Sequence, residues 1–94
     1  MEKKYELYYS TRPGSSIKLF RIRALRDFGD VKKGEVGGWV SSEDNLSHTG
    51  DAWIYDDAKV FGNARVFGNA KVGESAEVFG NAQVYDNARV FGYE

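Results

Sequence analysis

The chain contains no cysteine, which removes disulfides, thiolate nucleophiles and cysteine metal sites together. Histidine is almost missing too, with His48 standing alone. Charge of one sign is not in excess. The formal net charge is −1, so nothing global advertises nucleic acid or an anionic membrane. No long apolar run follows Met1-Glu2-Lys3-Lys4. Neither a signal peptide nor a membrane span is therefore expected, and the expected location is the cytoplasm of a bacterial cell. Ninety-four residues point to one domain with a modest core.

What the chain does have is repetition. Alanine returns every six residues at Ala52, Ala58, Ala64, Ala70, Ala76, Ala82 and Ala88. Two places after each stands Ile54, Val60, Val66, Val72, Val78, Val84 or Val90. The unit is Ala-x-Val-(Phe/Tyr)-(Gly/Asp)-Asn, and Gly73-Glu74-Ser75 is its main lapse. In an extended segment Ala and Val point to one side and the residue between them to the other. Gly, Asn and Asp tolerate the left-handed backbone of a sharp corner. Each hexad is then a short strand plus a corner, and a helix is excluded by Gly-Asn and β-branched residues at this spacing. Coiling in one direction stacks equivalent residues in layers, which is a parallel β-solenoid.

The pattern, with Val60-Phe61-Gly62-Asn63-Ala64-Arg65 as its clearest unit, resembles the hexapeptide-repeat family. That resemblance implies an all-β fold, a short left-handed parallel β-helix of about three coils with three hexads per coil. Residues eighteen apart should then stack: Phe61 with Phe79, Phe67 with Tyr85, Asn63 with Asn81, Asn69 with Asn87. Lys59 over Glu77 is favourable, whereas Lys71 over Arg89 is not.

Residues 1–36 are expected to form an N-terminal β-hairpin cap and 37–94 the β-helix, in one compact domain. Tyr5–Tyr9 and Ile17–Leu25 read as strands joined by a loop at Ser10–Ser16. Phe20, Ile22 and Ala24 should cover the first layer, because a bare solenoid end exposes unpaired backbone and core side chains. Asp27–Gly38, with four glycines, should be turns. Val40 and Leu46 fall twelve and six residues before Ala52, but that frame puts Ser42 and His48 in valine slots. Either the first coil has an irregular corner at Ser41–Asn45, or a short insertion resets the phase. At the other end the repeats run on to Phe91-Gly92-Tyr93-Glu94, so an open last layer is expected. Val84, Ala88, Val90, Phe91 and Tyr93 are the expected self-association surface of a homodimer.

No catalytic, cofactor-binding or metal site is expected. The resembled acyltransferases use a histidine as general base, which makes His48 the one candidate, against an incidental structural role. The zinc hydratases of this fold need three histidine ligands. Asp56, Asp57 and Asp86 stand where the repeat has Gly or Asn, so turn chemistry accounts for them. Phe61, Phe67, Phe79 and Tyr85 allow two readings: exposed rows that bind a partner, or ladders packed along the corners. Arg21 and Arg23 could add basic contacts, or could solvate the cap with Lys18, Arg26, Lys32 and Lys33. Single-stranded nucleic acid is not favoured, since Asp51–Glu94 holds seven acidic residues and four basic ones. Leu19–Val31, Gly37-Gly38-Trp39-Val40 and Asn45-Leu46-Ser47 are similar to bacterial and phage-encoded β-helix proteins loosely labelled transferases. That resemblance implies a phage or prophage setting, and small phage proteins suggest a host protein partner such as a CRISPR-type defence nuclease.

Overall fold

The computed structural model describes residues 3–10 and 18–92. Strand β1 is Tyr5–Ser10, β2 Phe20–Ala24 and β3 Val36–Val40, followed by a 3-10 turn at Glu43–Asn45. The remaining strands are short: β4 Trp53–Ile54, β5 Lys59–Val60, β6 Arg65–Val66, β7 Lys71–Glu74, β8 Glu77–Val78, β9 Gln83–Val84 and β10 Arg89–Gly92. They wind into three parallel coils with three faces. One face stacks β3, β5 and β8, the next Leu46, β6 and β9, and the third β4, β7 and β10. Between the last two coils the step is eighteen residues, pairing Lys59 with Glu77, Arg65 with Gln83 and Lys71 with Arg89.

The hexad makes this shape because each corner needs a left-handed residue. Positive φ recurs every sixth position, at Gly50, Asp56, Gly62, Gly68, Glu74, Gly80 and Asp86, with values from 57° to 73°. Gly meets that need without strain, and Asp tolerates it. Glu74 is the poorest fit of the seven. Inside, columns of Val and Leu fill the axis: Val40, Val60 and Val78 on one face, Leu46, Val66 and Val84 on the next, Ile54 and Val72 on the third. Fully burying such a side chain contributes about 2 kcal/mol.

The first coil keeps this plan with a shifted frame. Val40 pairs with Val60 and Leu46 with Val66, twenty residues apart, while Ile54 pairs with Val72 at eighteen. Two extra residues therefore lie between Leu46 and Ile54. Val40 and Leu46 occupy valine slots, and Ser42 and His48 do not. The phase is reset by a short insertion.

Gly37 and Gly38 belong to strand β3 and not to a turn. A Cβ on Gly37 would sit 2.5 Å from the Ile54 carbonyl oxygen, and one on Gly38 2.6 Å from that of Ala58. They are there because the backbones approach closely. The lapse at Gly73 has a similar cause. It occupies an aromatic slot, and a Cβ there would meet the Phe91 ring, so Gly73 makes room for the ring one coil later.

The hairpin does not lie across the solenoid as a separate lid. Strands β1 and β2 continue the first face, β1 antiparallel to β2 and β2 antiparallel to β3. Ile22 and Ala24 are buried and Phe20 is half-buried. Apart from Ser10, the loop expected between the strands lies outside the described residues.

Candidate interaction surfaces at the two solenoid ends

At the N-terminal end each face of the first coil is covered. On the first face β2 supplies the pairing. On the second, the Tyr5 hydroxyl donates to the carbonyls of Leu46 and Glu43 (2.9 Å to Glu43). On the third, Lys4 Nζ donates to the carbonyls of Ala52 at 2.7 Å and Gly50 at 3.3 Å, and lies 4.8 Å from the Phe28 ring centre. Lys4 and Tyr5 are both fully buried. Burial, aided by the nearby Arg26 charge, brings the Lys4 ammonium down to about 8, and burial pushes the Tyr5 hydroxyl up. Trp53 is also fully buried, covered edge-on by Phe28 at 5.2 Å and by Tyr5 at 6.3 Å.

His48 belongs to this cap. Its ring stacks on Tyr5 at 4.1 Å, and Nδ1 accepts from the Lys4 backbone N–H at 3.2 Å. The proton therefore sits on Nε2 and is donated to Glu43 at 2.9 Å. That bond is the main reason the Glu43 carboxylate lies below its usual range. Asn45 falls in the corner Ser41–Asn45 that the sequence leaves irregular, and no spacing signals what its side chain does. Its side-chain oxygen accepts from the Ser41 N–H, the Ser41 hydroxyl and the Ser42 N–H. Its amide donates to the carbonyls of Ala64 at 2.8 Å and Gly62 at 3.3 Å. One side chain thus closes the first corner and ties it to the second coil.

The other end differs. Ala82 and Ala88 are exposed, Val90 is half-buried, and Val84 is still 7% exposed. Coil two donates to coil three through the N–H groups of Lys59, Phe61, Asn63, Arg65, Phe67, Asn69 and Lys71. By the same alternation the N–H groups of Glu77, Gln83 and Arg89 point off the end, and among the described residues no strand lies there. Of the expected self-association residues, Val84, Ala88, Val90 and Phe91 are all on this coil, while Tyr93 lies outside the described residues.

Both readings of the aromatic rows hold in part. Phe61 stacks under Phe79 at 5.5 Å and Phe67 under Tyr85 at 5.4 Å, nearly parallel. The inner ring of each pair is half-buried, but Phe79 is 57% exposed and Tyr85 48%. Asn63 bonds Asn81 and Asn69 bonds Asn87 along the same corners. The basic residues are occupied differently. Arg21 lies on Trp39, donating to Asp57 at 3.3 Å and to the Asp56 carbonyl at 3.2 Å. Arg23 pairs with Glu6 and lies over Tyr8. Lys71, set against Arg89, is offset by Asp30 at 3.4 Å, whose other oxygen accepts from the Tyr55 hydroxyl at 2.7 Å. Arg21 and Arg23 are thus tied within the fold, and the two most exposed rings among the described residues, Phe79 and Tyr85, are on coil three.

A solenoid wound from six-residue units, three to a coil, defines the class. Its coils are similar to those of hexapeptide-repeat β-helices. Residues 58–74 and 82–93 match the family model described as the YdcK β-solenoid repeat. A protein of Escherichia coli (strain K12) described as an uncharacterized acetyltransferase, YdcK, is 44% identical over 41 residues. That stretch is 44% of this chain and 13% of that protein, so the chain matches only a small part of the relative's length. Among the described residues no helix is long and apolar enough to cross a membrane, and no group of three or more His, Cys, Asp or Glu is placed to hold a metal.

Proposed function

We propose that this chain is a non-catalytic binding solenoid, which self-associates through coil three and presents its aromatic corners to a protein partner. The observation that carries the reading is the exposure of Phe79 and Tyr85 beside an uncovered strand edge. Rings held rigid by a ladder lose little entropy on binding, which suits them as interface anchors. In the phage or prophage setting that the resemblance implies, the partner is a host protein, and a CRISPR-type defence nuclease is the particular candidate. Affinity capture from a bacterial lysate tests this. A partner held by the native protein and lost with Phe79→Ser plus Tyr85→Ser supports it. Equal capture by both proteins counts against the aromatic corners.

The relative named as an acetyltransferase supports a second reading, transfer of an acyl group with His48 as base. A shallow groove bordered by Glu43, His48, Arg65 and Phe67 is where an acceptor would sit. Against it, both His48 nitrogens are engaged, one accepting from Lys4 and one donating to Glu43, leaving no free lone pair for a substrate proton. Calorimetry with acetyl-coenzyme A separates the readings. Saturable binding that His48→Ala abolishes favours the enzyme, and no heat favours the binding solenoid.

A further inference from the structure

The two ends of the solenoid differ in what they can join. The N-terminal edge is already satisfied by β2, Tyr5 and Lys4, so one copy cannot stack its last coil on the first coil of another. A contact between last coils is left, and two identical ends meet around a two-fold axis, which closes at a dimer. Such an axis makes the facing strands antiparallel, and residues whose N–H and C=O both point off the edge can exchange both bonds.

Three two-fold axes are compatible with a triangular coil, each placing a different face against itself. The residues pointing outward on the three last strands are Glu77, Gln83 and Arg89, all exposed. Among the described residues none of the three has an ion pair or side-chain hydrogen bond. Setting β8 on itself opposes Glu77 to Glu77. Setting β10 on itself opposes Arg89 to Arg89. Setting β9 on itself opposes Gln83 to Gln83 and Glu77 to Arg89 twice.

We propose that two copies of this chain join end to end about an axis through Gln83, with Glu77 of each copy facing Arg89 of the other. The inference rests on the self-association proposed above and specifies its geometry. Counting outward from Gln83, Ala82 falls opposite Val84 and Val78 opposite Ala88, so the uncovered apolar ends of the two cores meet. The corner bearing Phe61 and Phe79 meets the other copy's corner bearing Tyr85 and Phe67. Each joined corner then carries four rings in a continuous row, and the dimer presents two such rows to a partner.

Light scattering on the full chain across micromolar concentrations, with charge-reversed variants, tests this. A dimer is expected. Glu77→Arg or Arg89→Glu alone should weaken it by about tenfold or more, because each reversal creates two like-charge contacts. The combined variant should return to within about threefold of the native constant, since the contacts are then restored with the signs exchanged. Because the chain lacks cysteine, Gln83→Cys adds an independent reading. Facing residues in a bonded antiparallel pair are about 5.5 Å apart, within disulfide reach, so this variant should cross-link to itself on oxidation. A dimer in which Glu77→Cys cross-links instead, or in which the combined variant is no better than the single ones, overturns the Gln83 axis and leaves self-association standing. A monomer at high micromolar concentration overturns both, and species growing beyond a dimer overturn the closed contact.

Discussion

The first coil and the third are built from the same backbone plan but end in opposite states. The first has every face answered: a strand on one, the Tyr5 hydroxyl on the second, the Lys4 ammonium on the third. The third has edge amides, exposed Ala82 and Ala88 and upright rings. Stability and binding capacity are therefore expected to lie at different ends. Groups that complete the fold gather near residues 4–54, and groups that can still make contacts gather near 77–91.

The comparison breaks most visibly at Trp53. Replacing this fully buried ring with Ala should cost about 3–5 kcal/mol, a large share of a small domain's stability. Val90→Ala, half-buried on the open coil, should cost under about 1 kcal/mol in the same urea titration. Equal losses would mean that the ends are not energetically different. Tyr5→Phe should cost about 1–3 kcal/mol, because the Leu46 and Glu43 carbonyls lose their donor inside the cap.

The cap should also carry a pH signature. Lys4 titrates near 8 in the folded chain against 10.5 ordinarily, so between these values the unfolded chain holds more protons. Stability should rise with pH across that window, by up to about 3 kcal/mol. Tyr5 and Tyr55 are raised above 10, so the folded chain keeps protons that the unfolded one releases, and stability should fall beyond pH 10. Melting measured from pH 7 to 11 should therefore peak near 10, and Lys4→Met should remove the rising limb. An effect of opposite sign is expected at a corner of the middle coil. Glu74→Gly should stabilise by about 1 kcal/mol by relieving a left-handed glutamate.

The repeats were legible because a stacked layer imposes the same demand every six residues, and the sequence answers each time with Ala, Val and a corner former. The eighteen-residue register, both aromatic ladders and both Asn pairs follow directly. The first coil was harder to read. Its two extra residues fall where no repeat marks them, and Leu46 and Val40 look equally regular in the wrong frame. Gly37 and Gly38 resemble turn residues until the crowding by Ile54 and Ala58 is known. Lys4, Asn45 and His48 each act through a set of hydrogen bonds that occurs once in the fold, which leaves no periodic trace. The interaction surface was partly legible. The ring positions were clear, but Arg21 and Arg23 proved to be tied to Asp57 and Glu6, which only the folded arrangement reveals.

Amide hydrogen exchange, followed residue by residue at several protein concentrations, reaches the central contrast most directly. In dilute solution the amides of Lys59, Arg65 and Lys71 should be protected, while those of Glu77, Gln83 and Arg89 exchange freely. The latter three should gain protection as concentration rises. Protection of all six at every dilution, or exposure of the last three at every concentration, would contradict an open end that closes on a second copy.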